Sequence, residues 1–146
     1  MIGMVLVVVI AGRRAGIPAL DVNSVIELTS ITPVPRVAPH VAGLAALRSR
    51  PLTVIDCRAA LGLEPGEGQA AARRAVVIEH GGHLYGLLVD AADDIVAVLA
   101  EPGPIGADPG SGWRRVASGR VETEAGALLL LDVPALIAGQ DHSVAA

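Results

Sequence analysis

VVVIAGRRAGI, at residues 7–17, gives the strongest indication of the fold of this chain, because its outline returns as VIEHGGHLYGL at residues 77–87. The two glycines of the first copy coincide with Gly82 and Gly86 of the second copy. Each copy has an apolar strand, a turn that contains glycine and a second apolar strand, which is the pattern of a β-hairpin. We therefore predict that one β unit occurs twice in this chain.

A second pair of similar segments follows the two hairpins. LTVIDCRAAL at residues 52–61 resembles LLLLDVPALI at residues 128–137. In both segments an apolar strand ends at an aspartate, and a short stretch rich in apolar residues follows. Asp56 and Asp132 therefore have the position of helix N-caps, where a carboxylate accepts hydrogen bonds from free amides and complements the helix dipole. We predict a strand and then a short helix at each place.

The order of these segments predicts the class of fold. Short strands separated by turn residues, with only brief helices, are typical of an all-β protein with a barrel-like sheet. A length of 146 residues fits one domain, or two small lobes that share a core. We therefore predict a single domain over residues 1–146, with a pseudo-repeat of about 4–62 and about 74–139.

Three stretches predict connections between the strands. Residues 31–40 carry three prolines, which remove backbone donors and favour an extended loop or an edge. Residues 64–74 and 101–112 are rich in glycine, proline and alanine, and this composition favours surface loops.

The composition limits the kinds of partner that this chain can bind. Hydrophobic residues make up 52% of the chain, but it has one Trp, one Tyr and no Phe. Because Trp, Tyr and Arg usually anchor interfaces, a partner surface here must depend on aliphatic residues and arginines. The net charge of −4 and the lack of a long basic run argue against nucleic-acid binding. The lone Cys57 excludes an intramolecular disulfide and fits a reducing cytoplasm.

The N-terminal segment is almost wholly apolar over residues 1–11. A signal peptide has its basic residues before the apolar core, whereas Arg13 and Arg14 come after it. Eleven residues are also too few to cross a bilayer as a helix. The segment therefore predicts a buried strand in a soluble, cytoplasmic protein that does not insert into the membrane.

Two other classes of function remain as alternatives. His80 and His83 stand three residues apart on a glycine turn next to Glu79, so a small ligand- or metal-binding module is possible, although zinc needs further ligands. Asp93 and Asp94 form an acidic pair where we expect a strand to give way to a turn, so a hydrolase is a third hypothesis. Turn and capping roles explain such residues without chemistry, so we expect no catalytic residue, metal or cofactor.

Two further residue types that often carry chemistry have no supporting pattern. Cys57 follows a predicted cap inside an apolar segment, which favours a buried and inert thiol. His40 in the proline-rich stretch and His142 near the end of the chain have no evident partner ligands.

The order of several motifs resembles the CheW family, the adaptor proteins of bacterial chemotaxis arrays, and the related module of their histidine kinase. The resemblance extends over nearly the whole chain, and it depends on the order and spacing of the motifs together. In the first half of the chain, GIPALDV (16–22) resembles the family's "YGIPILKV", and ITPVP (31–35) with Pro39 and Gly43 resembles "ITPVPNAPPFVRG". GLAALR (43–48) and VIDCR (54–58) together resemble "GVINLRG…PVIDLR". In the second half, GLLVD (86–90) resembles "GLLVDAV", and LLLD (129–132) resembles the closing "LLLD".

The resemblance implies a fold and a function. It implies two small lobes, each a five-stranded SH3-like β-barrel, that share a hydrophobic core, which agrees with the doubled unit. It also implies an adaptor without enzymatic activity. Such an adaptor binds the regulatory domain of a CheA-type histidine kinase through one lobe, and the cytoplasmic tips of chemoreceptors through a groove between the lobes.

The resemblance also implies a set of partner-binding residues, of which Arg48 is the first candidate because a guanidinium is a strong charge-assisted donor. The chain departs from the family pattern at five positions: Ala15 replaces an aromatic residue, Ser24 replaces an acid, Arg36 and Ala46 replace asparagines, and Ser49 replaces a glycine. These departures favour a retuned interface, or an adaptor of a non-flagellar cluster such as one for twitching motility. The expected partner-binding residues are Val22, Ser24, Val25, Arg36, Gly43 and Arg48.

Overall fold

The computed structural model describes residues 3–63 and 73–139. Within these residues the chain forms ten strands and three helices of four to six residues. A short 3₁₀ turn, Ala19–Asp21, lies between the second and third strands. The elements are β1 (Met4–Ile10), β2 (Arg13–Pro18), β3 (Val22–Leu28), β4 (Val41–Leu47), β5 (Arg50–Asp56), α1 (Cys57–Ala60), β6 (Arg73–His80), β7 (His83–Val89), β8 (Ala91–Ala97), α2 (Ser111–Val116), β9 (Ala117–Thr123), β10 (Gly126–Leu131) and α3 (Val133–Ala138).

The strands form two five-stranded sheets. Sheet A has the order β8-β1-β2-β10-β9, and sheet B has the order β3-β6-β7-β5-β4. The two orders become identical when β1–β5 are matched to β6–β10. Each sheet therefore takes a hairpin from one half of the chain and three strands from the other half. The all-β class and the two five-stranded lobes are confirmed. The pseudo-repeat of one unit in both halves of the chain stays a prediction.

Neither sheet closes into the continuous barrel that we expected. Isolated bridges join the edges of sheet A at Val98–Thr123 and Gly103–Arg120, and those of sheet B at Thr32–Leu44. A closed barrel needs a regular ladder between its first and last strands. The lobes are therefore curled, open sheets whose edges touch at a few points.

The glycines of the two hairpins explain the recurrence in the sequence. Gly12 and Gly82 lie in the hairpin turns with φ of +81° and +84°, a conformation that favours glycine and suits the twist of the flanking strands. Gly16 and Gly86 lie inside strands, where an added Cβ would be 3.2 Å from Val5 Cβ and 3.1 Å from a Leu52 methyl group, respectively. The predicted hairpins are therefore confirmed at both places.

The continuous apolar runs of the sequence arise because the central strands are buried on both faces. In β1, Val5 and Val7 pack inside sheet A, whereas Leu6, Val8 and Ile10 pack into a core between the sheets. The central strands of sheet B divide their side chains in the same way. Each fully buried aliphatic side chain contributes about 1.5–3 kcal/mol. The hydrophobic core that the two lobes were expected to share is confirmed.

Both predicted helix caps are present. Asp56 Oδ1 accepts hydrogen bonds from the amides of Arg58 (3.0 Å) and Ala59 (3.2 Å) at the start of α1. Asp132 Oδ1 accepts one from the amide of Ala135 (3.3 Å) at the start of α3. The strand and short helix predicted after each hairpin are therefore confirmed.

Three loop or turn predictions need correction. The expected loop at 101–112 ends early, because Ser111 begins α2, whose Trp113 is buried against the shared core. Arg73 and Arg74 belong to β6, while 64–72, the rest of that predicted loop, lie outside the described residues. Asp93 and Asp94 lie within β8 and not at its end.

Candidate functional site

The edge strand β3 of sheet B carries three of the expected partner-binding residues. Its register against β6 shifts by one residue between Val22 and Ser24, which is a β-bulge. Val22 packs against the shared core and Ser24 is half-buried. Val25 is 38% exposed, so it is the only one of the three that presents a large apolar surface to a partner.

Gly43 in β4, at the other edge of sheet B, is buried. Its φ is +150°, and a Cβ at this position would overlap the carbonyl oxygen of Thr32. That close approach lets Thr32 and Leu44 exchange two backbone hydrogen bonds of 2.8 Å each. We call the line where the Thr32 segment after β3 meets β4 the seam. Gly43 permits the close backbone contact at the seam because it has no Cβ.

Arg48 lies in the two-residue turn between β4 and β5, and its side chain is exposed. Leu47 and Arg50 pair across this turn. Arg48 and Ser49 have φ of +50° and +72°, which is the pattern of a type I′ turn. Within the described residues, the Arg48 guanidinium makes no hydrogen bond or ion pair. The turn thus presents a free cationic group at the end of sheet B.

Substituting Ser49 by glycine is expected to stabilise the protein by about 1 kcal/mol, because a non-glycine residue with positive φ is strained and glycine is not. Urea unfolding followed by circular dichroism would measure the difference. Ser118→Gly is the matched control: Ser118 lies in β9 without a positive φ, so the same change there should destabilise the protein. If both substitutions changed the free energy of unfolding equally and in the same direction, this account of the turn would be contradicted.

A groove follows the seam and joins the two edges of sheet B. Its volume is ≈ 620 Å³. Arg36 lies in the segment between the edges, exposed and with φ of +64°. Sequence reasoning missed the groove, because its two walls are separate segments of the chain that only the curl of the sheet brings together. The residues that line it are Glu27, Leu28, Thr29, Ser30, Thr32, Leu44, Ala45 and Ala46.

A second, smaller cleft of ≈ 340 Å³ lies between the two sheets. Glu27 and Arg74 of sheet B form one wall, with an ion pair of 3.3 Å, and Ala91 and Ala92 of sheet A form the other. Asp90, at the passage from β7 to β8, completes the lining. The cleft is the part of the described structure that corresponds to a groove between lobes.

The histidine turn does not assemble a metal site in the described part of the chain. His80 and His83 face each other across the β6–β7 turn, and both are exposed. Glu79 precedes His80 on the strand, so its side chain points to the opposite face. Among the described residues, no group of three or more His, Cys, Asp or Glu side chains could hold a metal ion. The geometry therefore gives the metal-binding alternative no support.

The acidic pair that the hydrolase alternative requires is not part of the lining of either cleft. Asp93 and Asp94 are exposed at the bulge where the β1–β8 register shifts. Neither residue lines the groove at the seam or the cleft between the sheets. Exposed neighbours on an edge strand do not form the enclosed site that acid–base catalysis needs.

His40 is buried and links sheet B to α3, a contact that the sequence did not indicate. Its Nε2 donates a hydrogen bond of 2.7 Å to the carbonyl oxygen of Ile137, and its own carbonyl accepts the Asp56 amide at 2.8 Å. Its ring packs so closely on Gly139 that a Cβ there would overlap it. His40 thus has a structural role, while His142 lies outside the described residues.

Cys57 is expected to resist alkylation in the folded protein. Burial raises the pKa of its thiol well above the usual range, and the nearby carboxylates of Asp56 and Asp90 raise it further. A raised pKa leaves almost no thiolate at pH 8, and the thiolate is the reactive form. Mass spectrometry after iodoacetamide treatment at pH 8 should find no adduct on native protein and full modification in urea. Rapid modification of the native protein would contradict this prediction.

Comparison with known proteins identifies a sequence family and solved structures with a similar fold. The sequence model of the family described as CheW-like domain matches residues 4–141. Among solved structures, the chain is similar to the scaffolding protein TtCheW from Thermoanaerobacter tengcongensis, with a TM-score of 0.74 and 23% sequence identity. That similarity covers 90% of this chain and 89% of the other, and at this identity it establishes the fold alone. No curated protein matches this chain in sequence.

Proposed function

Because this chain belongs to the CheW-like domain family, we propose that it is a non-enzymatic adaptor that couples chemoreceptors to a CheA-type histidine kinase in a bacterial chemosensory array. The observation that carries the proposal is a pair of surfaces on one scaffold, which adjoin at Glu27. The turn of Arg48 and the seam lie on sheet B, and the cleft lies between the sheets. An adaptor needs two such surfaces, one for each partner.

The kinase regulatory domain is the proposed partner of sheet B, through the β3 edge that carries Val25 and the β4–β5 turn that carries Arg48. Val25 and Arg48 offer it an exposed apolar side chain and an exposed guanidinium. Arginine and aliphatic groups of this kind can anchor an interface in a chain that has almost no aromatic residues. Arg36, Val22 and Ser24 belong to the same proposed contact region.

Gly43 belongs to the proposed contact region in a different way. Because it is buried, its contribution is to hold the seam, and with it the course of β4 that leads to Arg48. We therefore assign Gly43 an indirect role and Arg48 a direct one.

The cytoplasmic tips of chemoreceptors are the proposed occupants of the cleft between the sheets. Its walls combine small alanine side chains with the Glu27–Arg74 ion pair, so that a partner helix could pack closely and form polar contacts. The large core shared by the sheets supports a fixed relative position of the two partners. Receptor motion would then reach the kinase without any covalent step.

Partner choice is proposed to differ from the common family pattern. Ser24 and Arg36 change the charge around sheet B relative to that pattern, and charge complementarity discriminates between partners. An adaptor of a twitching-type cluster is therefore a specific form of the same proposal. We propose a cytoplasmic location in either case; within the described residues, none of the helices could span a bilayer.

Co-sedimentation tests the proposed function. Membranes that carry chemoreceptors are mixed with a CheA-type kinase and the purified protein, and the pellet is analysed for both soluble proteins. We expect the kinase to pellet only when this protein is present, and kinase activity to respond to receptor ligand. Kinases and receptors of flagellar and twitching-type clusters are assayed side by side to identify the cluster. A protein that binds neither the kinase nor the receptors of any cluster would overturn the proposal.

A further inference from the structure

The chain passes between the two sheets at two equivalent places, after β2 and after β7. The first passage is the 3₁₀ turn Ala19–Asp21, in which Leu20 is 97% exposed. The second passage is the single residue Asp90, between β7 of sheet B and β8 of sheet A. The two halves of the fold therefore differ at these otherwise corresponding points.

Asp90 contacts structural elements of both sheets. Its Oδ2 accepts a hydrogen bond of 2.8 Å from the amide of Ala11, which lies in the β1–β2 turn of sheet A. The same oxygen accepts one of 3.2 Å from Arg58 Nη1, and Arg58 belongs to α1, which directly follows β5 of sheet B. The Asp90 amide donates to the carbonyl oxygen of Val9 at 2.8 Å. One residue thus joins a turn of one sheet to a helix attached to the other.

The Arg58 side of this junction is held in place by its surroundings. The Arg58 amide is one of the donors to the Asp56 cap, which fixes the start of α1. Arg58 Nε is buried and has no hydrogen-bond partner in the described structure. The ion pair with Asp90 is partly exposed, with side-chain exposures of 34% and 41%, so its direct contribution to stability is small. The effect that we assign to the Arg58–Asp90 ion pair is on the relative position of the two sheets, and not on the free energy of unfolding.

We propose that Asp90 is a positioning residue that fixes the angle between the two sheets and so sets the width of the cleft between them. Asp90 lines that cleft together with Ala91 and Ala92, so any change at the junction reaches the cleft wall directly. Loss of the carboxylate frees the β1–β2 turn from α1 and lets the sheets pivot on the shared core. The consequence for partner binding in the cleft rests on the proposed adaptor function, whereas the inter-sheet geometry does not.

A distance measurement between the sheets tests the proposal directly. Spin labels are attached to cysteines at Glu79 in β6 and Met4 in β1, both of which are exposed. Cys57 is fully buried, so it is not labelled. Asp90→Ala is expected to broaden the distance distribution between the labels. Asp90→Asn keeps an acceptor for the Ala11 amide but loses the charge, so it should broaden the distribution less.

Hydrogen exchange of the Ala11 amide provides a second readout, which does not require labels. In Asp90→Ala this amide should exchange about ten- to a hundredfold faster, the range expected for a lost hydrogen bond to a charged acceptor. Arg120→Gln is the matched control, because it breaks an ion pair of similar length, 3.1 Å, within sheet A alone. It should change neither the distances nor the Ala11 exchange.

The outcomes separate this inference from the proposed function. Unchanged distances in both Asp90 variants would mean that the shared core alone sets the angle, and would overturn the inference whatever the Ala11 exchange. Equal broadening in Arg120→Gln would overturn it as well. If the wild-type protein binds no receptor or kinase, the proposed function fails while the distance result stands. If it does bind, Asp90→Ala should weaken receptor capture and leave kinase binding intact.

Discussion

Gly43→Ala is expected to destabilise the protein by about 3 kcal/mol or more, since it combines a strained backbone with an overpacked contact. The φ of +150° at Gly43 is one that residues with a Cβ rarely adopt. The new Cβ would also overlap the Thr32 carbonyl oxygen, which is backbone and cannot turn aside as a side chain could. The exchange of hydrogen bonds between Thr32 and Leu44 would be lost, and the seam of sheet B would open.

Thermal unfolding measures this effect. For a domain of this size we expect a melting temperature roughly 10 °C lower, at about 2–4 °C for each kcal/mol. Gly12→Ala is the matched control: Gly12 also has a positive φ, +81°, but nothing lies within 4 Å of an added Cβ. Gly12→Ala should lower the free energy of unfolding by only about 1 kcal/mol. Equal losses in the two variants would show that backbone strain alone matters and that the seam contact does not.

Arg48→Glu is expected to abolish kinase capture in the co-sedimentation assay while the fold remains intact. The substitution replaces an exposed cation by an anion, and like charges placed against each other across an interface cost several kcal/mol. At about 1.4 kcal/mol for each factor of ten, this corresponds to an affinity roughly a hundredfold lower. Isothermal titration calorimetry with the kinase regulatory domain would give the value directly.

The control for this prediction has the same change in net charge at a distant place. Arg120→Glu alters β9 of sheet A, where Arg120 is paired with Glu122 at 3.1 Å. This variant should bind the kinase domain as the wild-type protein does. Normal binding by Arg48→Glu would remove Arg48 from the proposed contact region. A matching loss in Arg120→Glu would mean that overall charge, and not the Arg48 turn, governs binding.

Local patterns in the sequence were sufficient to identify most of the elements. The hairpin turns follow from glycines that a type I′ turn requires, and the caps at Asp56 and Asp132 follow from the affinity of a carboxylate for free amides. These signals act over a few residues, so they do not depend on the rest of the fold. The helix α2 was not predicted, because its sequence SGWRRV is short and follows a stretch rich in glycine and proline. Its stability comes from the burial of Trp113, which the sequence alone does not reveal.

The candidate site was only partly predictable. Arg48 and Val25 were identified through the family resemblance, and the structure gives both of them exposed side chains. The wall residues of the groove, such as Thr32 and Leu44, were missed because nothing in their own segments indicates a contact with the other edge of the sheet. A groove between the lobes was expected from the family resemblance. The sequence did not indicate that Asp90 lines it, or that Arg58 pairs with Asp90 beside it.

The two hairpins, the caps and the long apolar runs could be predicted from the sequence, because each depends on neighbours within a few residues. The folded structure was needed to show that each sheet combines strands from both halves of the chain, that the sheets stay open, and which contacts Gly43 and Asp90 make at their junctions. Those features depend on contacts between residues far apart in the chain. Such contacts form only when the curl of each sheet and the burial of the shared core bring the distant segments together.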